Sequence, residues 1–222
     1  MFSRRKGLIK AAVALVVAGF IVVPAGGASG ATSSIDQSNM PDSSSIVETA
    51  RAIQARYLNG AQTASDAKWV QDNPDISKWI VDPSKSTTYL ISSKKVPQPR
   101  GTAAKPLLLT DTCVDNAYGN ENRNSVGVRL YSYVSEIRYC FNSTKITTFP
   151  LHTAYFSNMS GGVNVISNMI VNQALVSGNN GYITHQGHAQ VCLPVYGCIF
   201  NYYPKIAWTL YPWSPATVVW TP

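Results

Sequence analysis

The sequence predicts a mainly β fold, a disulfide-stapled antiparallel β-sandwich or a partly open barrel, with a helical segment in front of it. Three observations predict this. From about residue 107 to the C-terminus, short strand-like runs alternate with turns rich in Asn, Gly and Pro, and no helical period interrupts them. Four cysteines, an even number, follow a leader of secretory type. The clear helical patterning is confined to residues 43–83.

The leader comes first. Arg4, Arg5, Lys6 and Lys10 precede an apolar run over residues 11–23, and the small residues of 24–31 suit signal-peptidase cleavage. The run is shorter than the ~20 residues a membrane-spanning helix requires. Residues 1–31 are therefore read as a signal peptide, and the mature chain is expected to be secreted, extracellular and without a membrane span. The formal charge of +7 includes those four bases, and no acid precedes residue 32. Fourteen bases against eleven acids then leave the mature chain at +3. From residue 146 to 222 Lys205 is the only Lys, Arg, Asp or Glu, so the clustered basic stripe of a nucleic-acid binder is missing, and no nucleic acid is expected.

Residues 32–44 are polar and turn-rich, too poor in apolar surface to offset their ordering entropy, and read as a flexible tether. Residues 45–100 read as a helical segment and linker. Ser45-Ile-Val-Glu48 has capping-box spacing, Ile46, Ala50, Ile53 and Tyr57 share one helical face, and Asn59-Gly60 stops the helix. A second helical piece starts at Ser65 or at Asn73-Pro74. Lys68-Trp69 and Lys78-Trp79 echo each other ten residues apart, and both Trp side chains are expected to dock on one core. Residues 87–92 read as a strand and 94–106, with Pro97, Pro99, Gly101 and Pro106, as a linker.

Residues 101–222 read as the β-sandwich domain. A short strand is expected at 107–112, a polar Asn- and Gly-rich loop at 115–125, and a long central strand at 126–141, apolar on both faces. Further strands are expected at 145–149, 151–156, 163–176 and 182–192, with the last ones between 199 and 220.

Cys113, Cys140, Cys192 and Cys198 allow three pairings. Loop entropy does not choose among them: closing Cys113 to Cys140 is worth about 3.6 kcal/mol and Cys192 to Cys198 about 2.4, against about 4.6 for a crossed pair. Proximity favours Cys113 with Cys140 and Cys192 with Cys198. The latter bridge requires the chain to fold back, with Pro194 fixing φ and Gly197 able to take a positive φ, so the segment reads as a pinned hairpin.

Two segments carry a resemblance. Cys192-x5-Cys198, preceded by Gln186-Gly-His-x-Gln190 and followed by Asn201-x-Tyr-Pro-x-Ile206, resembles a group of small secreted actinobacterial proteins with no assigned activity. Tyr139-Cys140-Phe-Asn-Ser-Thr-Lys145-Ile-Thr is similar to that group's aromatic-Cys segment, with Ser143 in place of a turn Gly and Ala189 in place of an aromatic. The resemblance implies a β-sandwich-like fold and donates no catalytic residue.

Candidate chemistry is sparse. His185-Gln-Gly-His188 would ligate a metal only across a turn, because strand residues three apart face opposite ways. No metal or cofactor is expected. No Ser sits in a Gly-x-Ser-x-Gly elbow. A secreted hydrolase or toxin would have to use His185 or His188 with Asp111 or Asp115. The aromatics of the last quarter point elsewhere: Tyr196, Tyr211 and Trp213 fall in turns, where rings can meet a ligand. The leading expectation is thus a secreted non-enzymatic binding domain recognising a cell-surface glycan or a secreted protein partner.

Overall fold

The structure is a computed structural model and describes residues 43–96 and 112–222, all within one compact unit, Pro41–Pro222. The expected signal peptide 1–31, most of the tether and the linker after residue 96 lie outside the described residues, as does the strand expected at 107–112 apart from Thr112, which opens the next strand.

Three helices open the described chain: α1 (Ser43–Leu58), α2 (Ala64–Asp72) and α3 (Pro74–Ser77). The apolar stripe of α1 buries Val47, Ala50, Ile53 and Tyr57, and the helix stops before Gly60, which takes φ +66°. The second helix is fixed at its start by a capping box. Asp66 N–H donates to Thr63 Oγ1, the Asp66 carboxylate takes the Thr63 N–H, and Arg56 forks onto the same carboxylate at 2.6 and 2.9 Å. That pairing holds the Asp66 carboxyl well below its ordinary range.

Two antiparallel sheets follow, and the barrel does not close. The first has the order β1 (Thr87–Val96), β2 (Thr112–Arg123), β3 (Arg129–Phe141), β4 (Ile146–Ser157). The second has β5 (Val163–Ser177), β6 (Asn180–Leu193), β8 (Lys205–Leu210) and β9 (Thr217–Thr221), with β7 (Gly197–Tyr202) pairing β6 beside β8. Both β7 and β8 run along the same border of β6, joined by the corner Tyr203-Pro204, whose carbonyl accepts from Gly187 N–H at 3.0 Å.

The loop expected at 115–125 is a strand instead. Asp, Asn and Gly are poor strand formers in isolation, but β2 is paired on both sides, to β1 and to β3. Its even positions, Asn116, Asn120 and Asn122, are buried. Gly119 sits beneath the Tyr89 ring, where an added Cβ would lie 2.6 Å from it. The runs expected as separate strands at 145–149 and 151–156 are one strand, β4. Pro150 is tolerated there because β4 is an outer strand with a register shift opposite Arg138 and Cys140.

The sheets pack through aromatic side chains set into small ones. Tyr133 and Phe156 of the first sheet lie over Gly187, and Phe149 with Ile146 lies over Gly181. Facing them are Ile183, Val191, Phe200, Tyr202, Ile206, Trp208 and Leu210, all buried. Trp79 is buried at the same core and Trp69 packs against it half-buried, so the echoed Trp pair docks as expected. The helices close the end of the sandwich at the β2–β3 turn: Val81 bridges Asn124, Gln54 brackets the Val81 backbone (2.8 and 3.2 Å), and Tyr202 Oη donates to the Trp79 carbonyl.

The disulfides are Cys113–Cys140, directly across β2 and β3, and Cys192–Cys198, across β6 and β7, with Cα separations of 4.0 and 3.8 Å. Gly197 takes φ +68° in the pinned turn.

Candidate ligand-binding face

Strand β6 alternates without a break. Gly181, Ile183, His185, Gly187, Ala189 and Val191 are buried, while Tyr182, Thr184, Gln186, His188 and Gln190 face away from the core. Register extends this outer face across its neighbours: Leu175 pairs Tyr182, which pairs Thr209, and Gln186 pairs Lys205. The result is a sheet surface of rings, amides and hydroxyls on which Lys205 is the one charged side chain.

Its best-ordered part lies where β7 gives way to β8. The His188 and Tyr203 rings stack at 4.6 Å between centroids, 17° apart. Asn201 Oδ1 accepts from His188 Nε2 at 2.9 Å and from Gln190 Nε2 at 2.8 Å, and Gln186 Nε2 donates to the Tyr203 carbonyl at 3.2 Å. These bonds fix the side chains and leave acceptors on Gln186 and Gln190, the Asn201 amide N–H groups and the Tyr203 hydroxyl toward solvent. The cluster is therefore pre-ordered, with both donors and acceptors to offer.

The two histidines of His185-Gln-Gly-His188 point to opposite faces, as strand geometry requires. His185 is fully buried. Trp208 Nε1–H donates to Ser135 Oγ at 2.8 Å, and Ser135 Oγ shares a second hydrogen bond of 2.8 Å with His185 Nδ1. His185 Nε2 has no partner among the described residues. His152 stacks on His185 at 5.9 Å and hydrogen-bonds Asn172 at 2.7 Å. Burial, with His152 alongside, pushes the His185 pKa down to about 4. Burial likewise raises the phenols of Tyr131, Tyr133 and Tyr202 above their ordinary value.

Of the acids considered with these histidines, Asp111 lies outside the described residues, and Asp115 forks onto Arg138 at 2.5 and 2.8 Å. Its register partners place it on the face of the first sheet that points away from His185. Among the described residues, the Ser135–His185 contact is closed to solvent and has no carboxylate bonded to it. Among the described residues no group of His, Cys, Asp and Glu could hold a metal ion.

The three turn aromatics do not come together. Tyr196 sits in the β6–β7 turn, half-buried beside α1, where Ser43, Val47, Glu48, Arg51 and Val195 line a shallow pocket of about 230 Å³. Tyr211 and Trp213 follow β8 at the other end of β6, separated from Tyr196 by some twelve strand residues, about 40 Å. Trp213 is 65% exposed and Tyr211 half-buried. Sequence reasoning singled out His188 only as a candidate metal ligand or hydrolase base and did not pick out Gln186, Gln190, Asn201 and Tyr203 as its companions, although the unbroken period of two across residues 181–191 was there to assign the outward set.

Fold and face together define a two-layer antiparallel sandwich that presents one nearly uncharged, aromatic and amide-rich sheet surface. No protein-family model matches the chain, nor does any curated protein or solved structure.

Proposed function

We propose that this chain is an exported, non-enzymatic binding domain that recognises an uncharged cell-surface glycan on the outer face of β6, β7 and β8. The observation that carries the reading is the His188–Tyr203 stack flanked by the Gln186, Gln190 and Asn201 amides on a surface with a single charge. A sugar ring offers an apolar C–H face and a rim of hydroxyls. Aromatic faces suit the first, and bidentate-capable amides suit the second. Tyr182, six residues along the strand from His188 and 40% exposed, would extend contact over about 20 Å, the length of a short oligosaccharide. The secretory leader and the two disulfides are in keeping with an oxidising, extracellular setting.

The test is a glycan array together with a pull-down on insoluble cell-wall polysaccharide, using the mature chain. Binding to neutral glycans is expected, weakened about tenfold, or ~1.4 kcal/mol, by Tyr203→Ala or His188→Ala with thermal stability unchanged. Binding to no glycan, to polyanionic glycans alone, or by both variants as tightly as by the wild type would overturn the proposal.

A further inference from the structure

On the face of the first sheet turned away from the second, one row of residues crosses all four strands: Tyr89 of β1, Gly119 of β2, Val134 of β3 and Tyr155 of β4, each opposite the next. Both ends of the row lean inward. The tip of the Tyr89 side chain lies over Gly119, where an added Cβ would sit 2.6 Å from Cζ and 2.8 Å from the hydroxyl oxygen. From the other side the Tyr155 hydroxyl reaches from β4 across to β3 and donates to Glu136 Oε1 at 2.8 Å. The strands that carry the two rings are three strand spacings apart, about 14 Å. Between them Val134 and Ala117 are buried, at 3 and 6% exposure, although they point outward. Among the described residues neither ring is stacked on another aromatic ring.

The acids described on this face are matched by bases with one exception. Glu121 is paired with Arg123 and Arg129, and Asp115 with Arg138, while Lys94 adds its charge at Asp115. Glu136 lies in the row between those two acids and is half-buried. Among the described residues it has no cation partner, and the Tyr155 hydroxyl is its one side-chain hydrogen bond. The Tyr155 phenol is raised above its ordinary value, first by that hydrogen bond, then by burial and the Glu136 charge, with Tyr89 close enough to contribute. The two phenols and the carboxylate thus form one cluster.

We propose that Tyr89, Tyr155 and Glu136 form a binding site for a quaternary ammonium group, such as a choline headgroup, on the face of the sandwich opposite the glycan surface. Ring faces attract a cation through their quadrupole within about 6 Å of the centroid, and Glu136 supplies the counter-charge that no base of the chain has claimed. A primary ammonium brings three N–H donors that each need an acceptor. A methylated one needs charge and apolar surface, which one carboxylate and two rings supply.

Proton NMR of the mature chain titrated with choline chloride tests this. Saturable shifts of the Tyr89 and Tyr155 ring resonances are expected at millimolar choline, and the neutral isostere 3,3-dimethylbutan-1-ol should bind at least about tenfold more weakly. Glu136→Gln keeps an oxygen for the Tyr155 hydroxyl and removes only the charge; with amide spectra otherwise unchanged, it should also weaken choline by at least about tenfold. Tyr203→Ala, on the glycan face, should leave choline binding intact, so either proposal can fail without the other. Pelleting of the chain with phosphatidylcholine vesicles would assign a surface-borne headgroup, and choline binding without pelleting the free cation; both agree with the proposal. No saturable shift, equal binding of the neutral isostere, or undiminished binding by Glu136→Gln would overturn it.

Discussion

Acidification should destabilise this protein through one side chain. His185 is neutral in the folded state because burial opposes its charge and because Ser135 already takes the Trp208 N–H. A protonated Nδ1 would force the Ser135 hydroxyl to accept twice and leave its own proton without the ring nitrogen. The folded-state pKa of about 4 lies below the ordinary 6.5, so the unfolded chain binds the proton first as pH falls. The stability that His185 contributes is therefore complete above pH about 6.5 and lost progressively toward pH about 4. About 2.5 pH units correspond to roughly 3 kcal/mol, or a fall in Tm of roughly 6–12 °C for a chain of this size. The carboxylates that arginines hold down, Asp66 and Asp115, lose their contributions only as pH drops through and below the ordinary carboxylate range, so most of the window belongs to the histidine. Urea midpoints measured across it for wild type and His185→Asn, whose amide oxygen can still accept from Ser135, isolate the effect. The wild-type slope should flatten in the variant. If both lose stability in parallel, the reasoning about the buried relay is wrong.

Three further outcomes are expected. Gly187→Ala places a Cβ 2.6 Å from the Phe156 ring and 2.8 Å from that of Tyr133 on a buried strand, and should cost about 1–3 kcal/mol by overpacking, read as a shifted urea midpoint at constant slope. Gln54→Ala leaves the buried Val81 N–H and carbonyl without their side-chain partners, and should cost about 2 kcal/mol or more, with faster amide exchange at Val81. Under mild reductant with an alkylating trap, Cys192 and Cys198 should be labelled before Cys113 and Cys140, because the former pair is reachable by solvent and the latter is fully buried. Peptide mass mapping checks the order.

Much of the fold was readable where local chemistry and global packing agree. The stripe of α1 and its Gly60 stop, the Asn142 turn, in which Oδ1 takes the Thr144 and Lys145 N–H groups, and the pinned hairpin all carry their own signals. The strand β2 does not. Its Asn, Asp and Gly residues read as a loop because what makes them a strand is pairing on both sides, a long-range fact with no local trace. Pro150 divided β4 on paper because its missing N–H would be fatal in a central strand, and nothing local revealed that β4 is an outer one. The candidate face was half legible. Turn aromatics such as Tyr196 and Trp213 drew the eye because turns expose rings, yet the register sets them at opposite ends of β6. The cluster at His188 and Tyr203 depends on β7 and β8 sharing one border of β6, which the sequence does not disclose.

Each sulfur bridge ties neighbours within a layer, and neither crosses from one layer to the other. Oxidation therefore hardens two leaves separately and leaves the join between them to ring packing and to the side-chain latch from Asn168 and Met169 onto β4. An oxidised molecule that yields should part like a book along that seam, each page intact, and reclose without any exchange of sulfur partners.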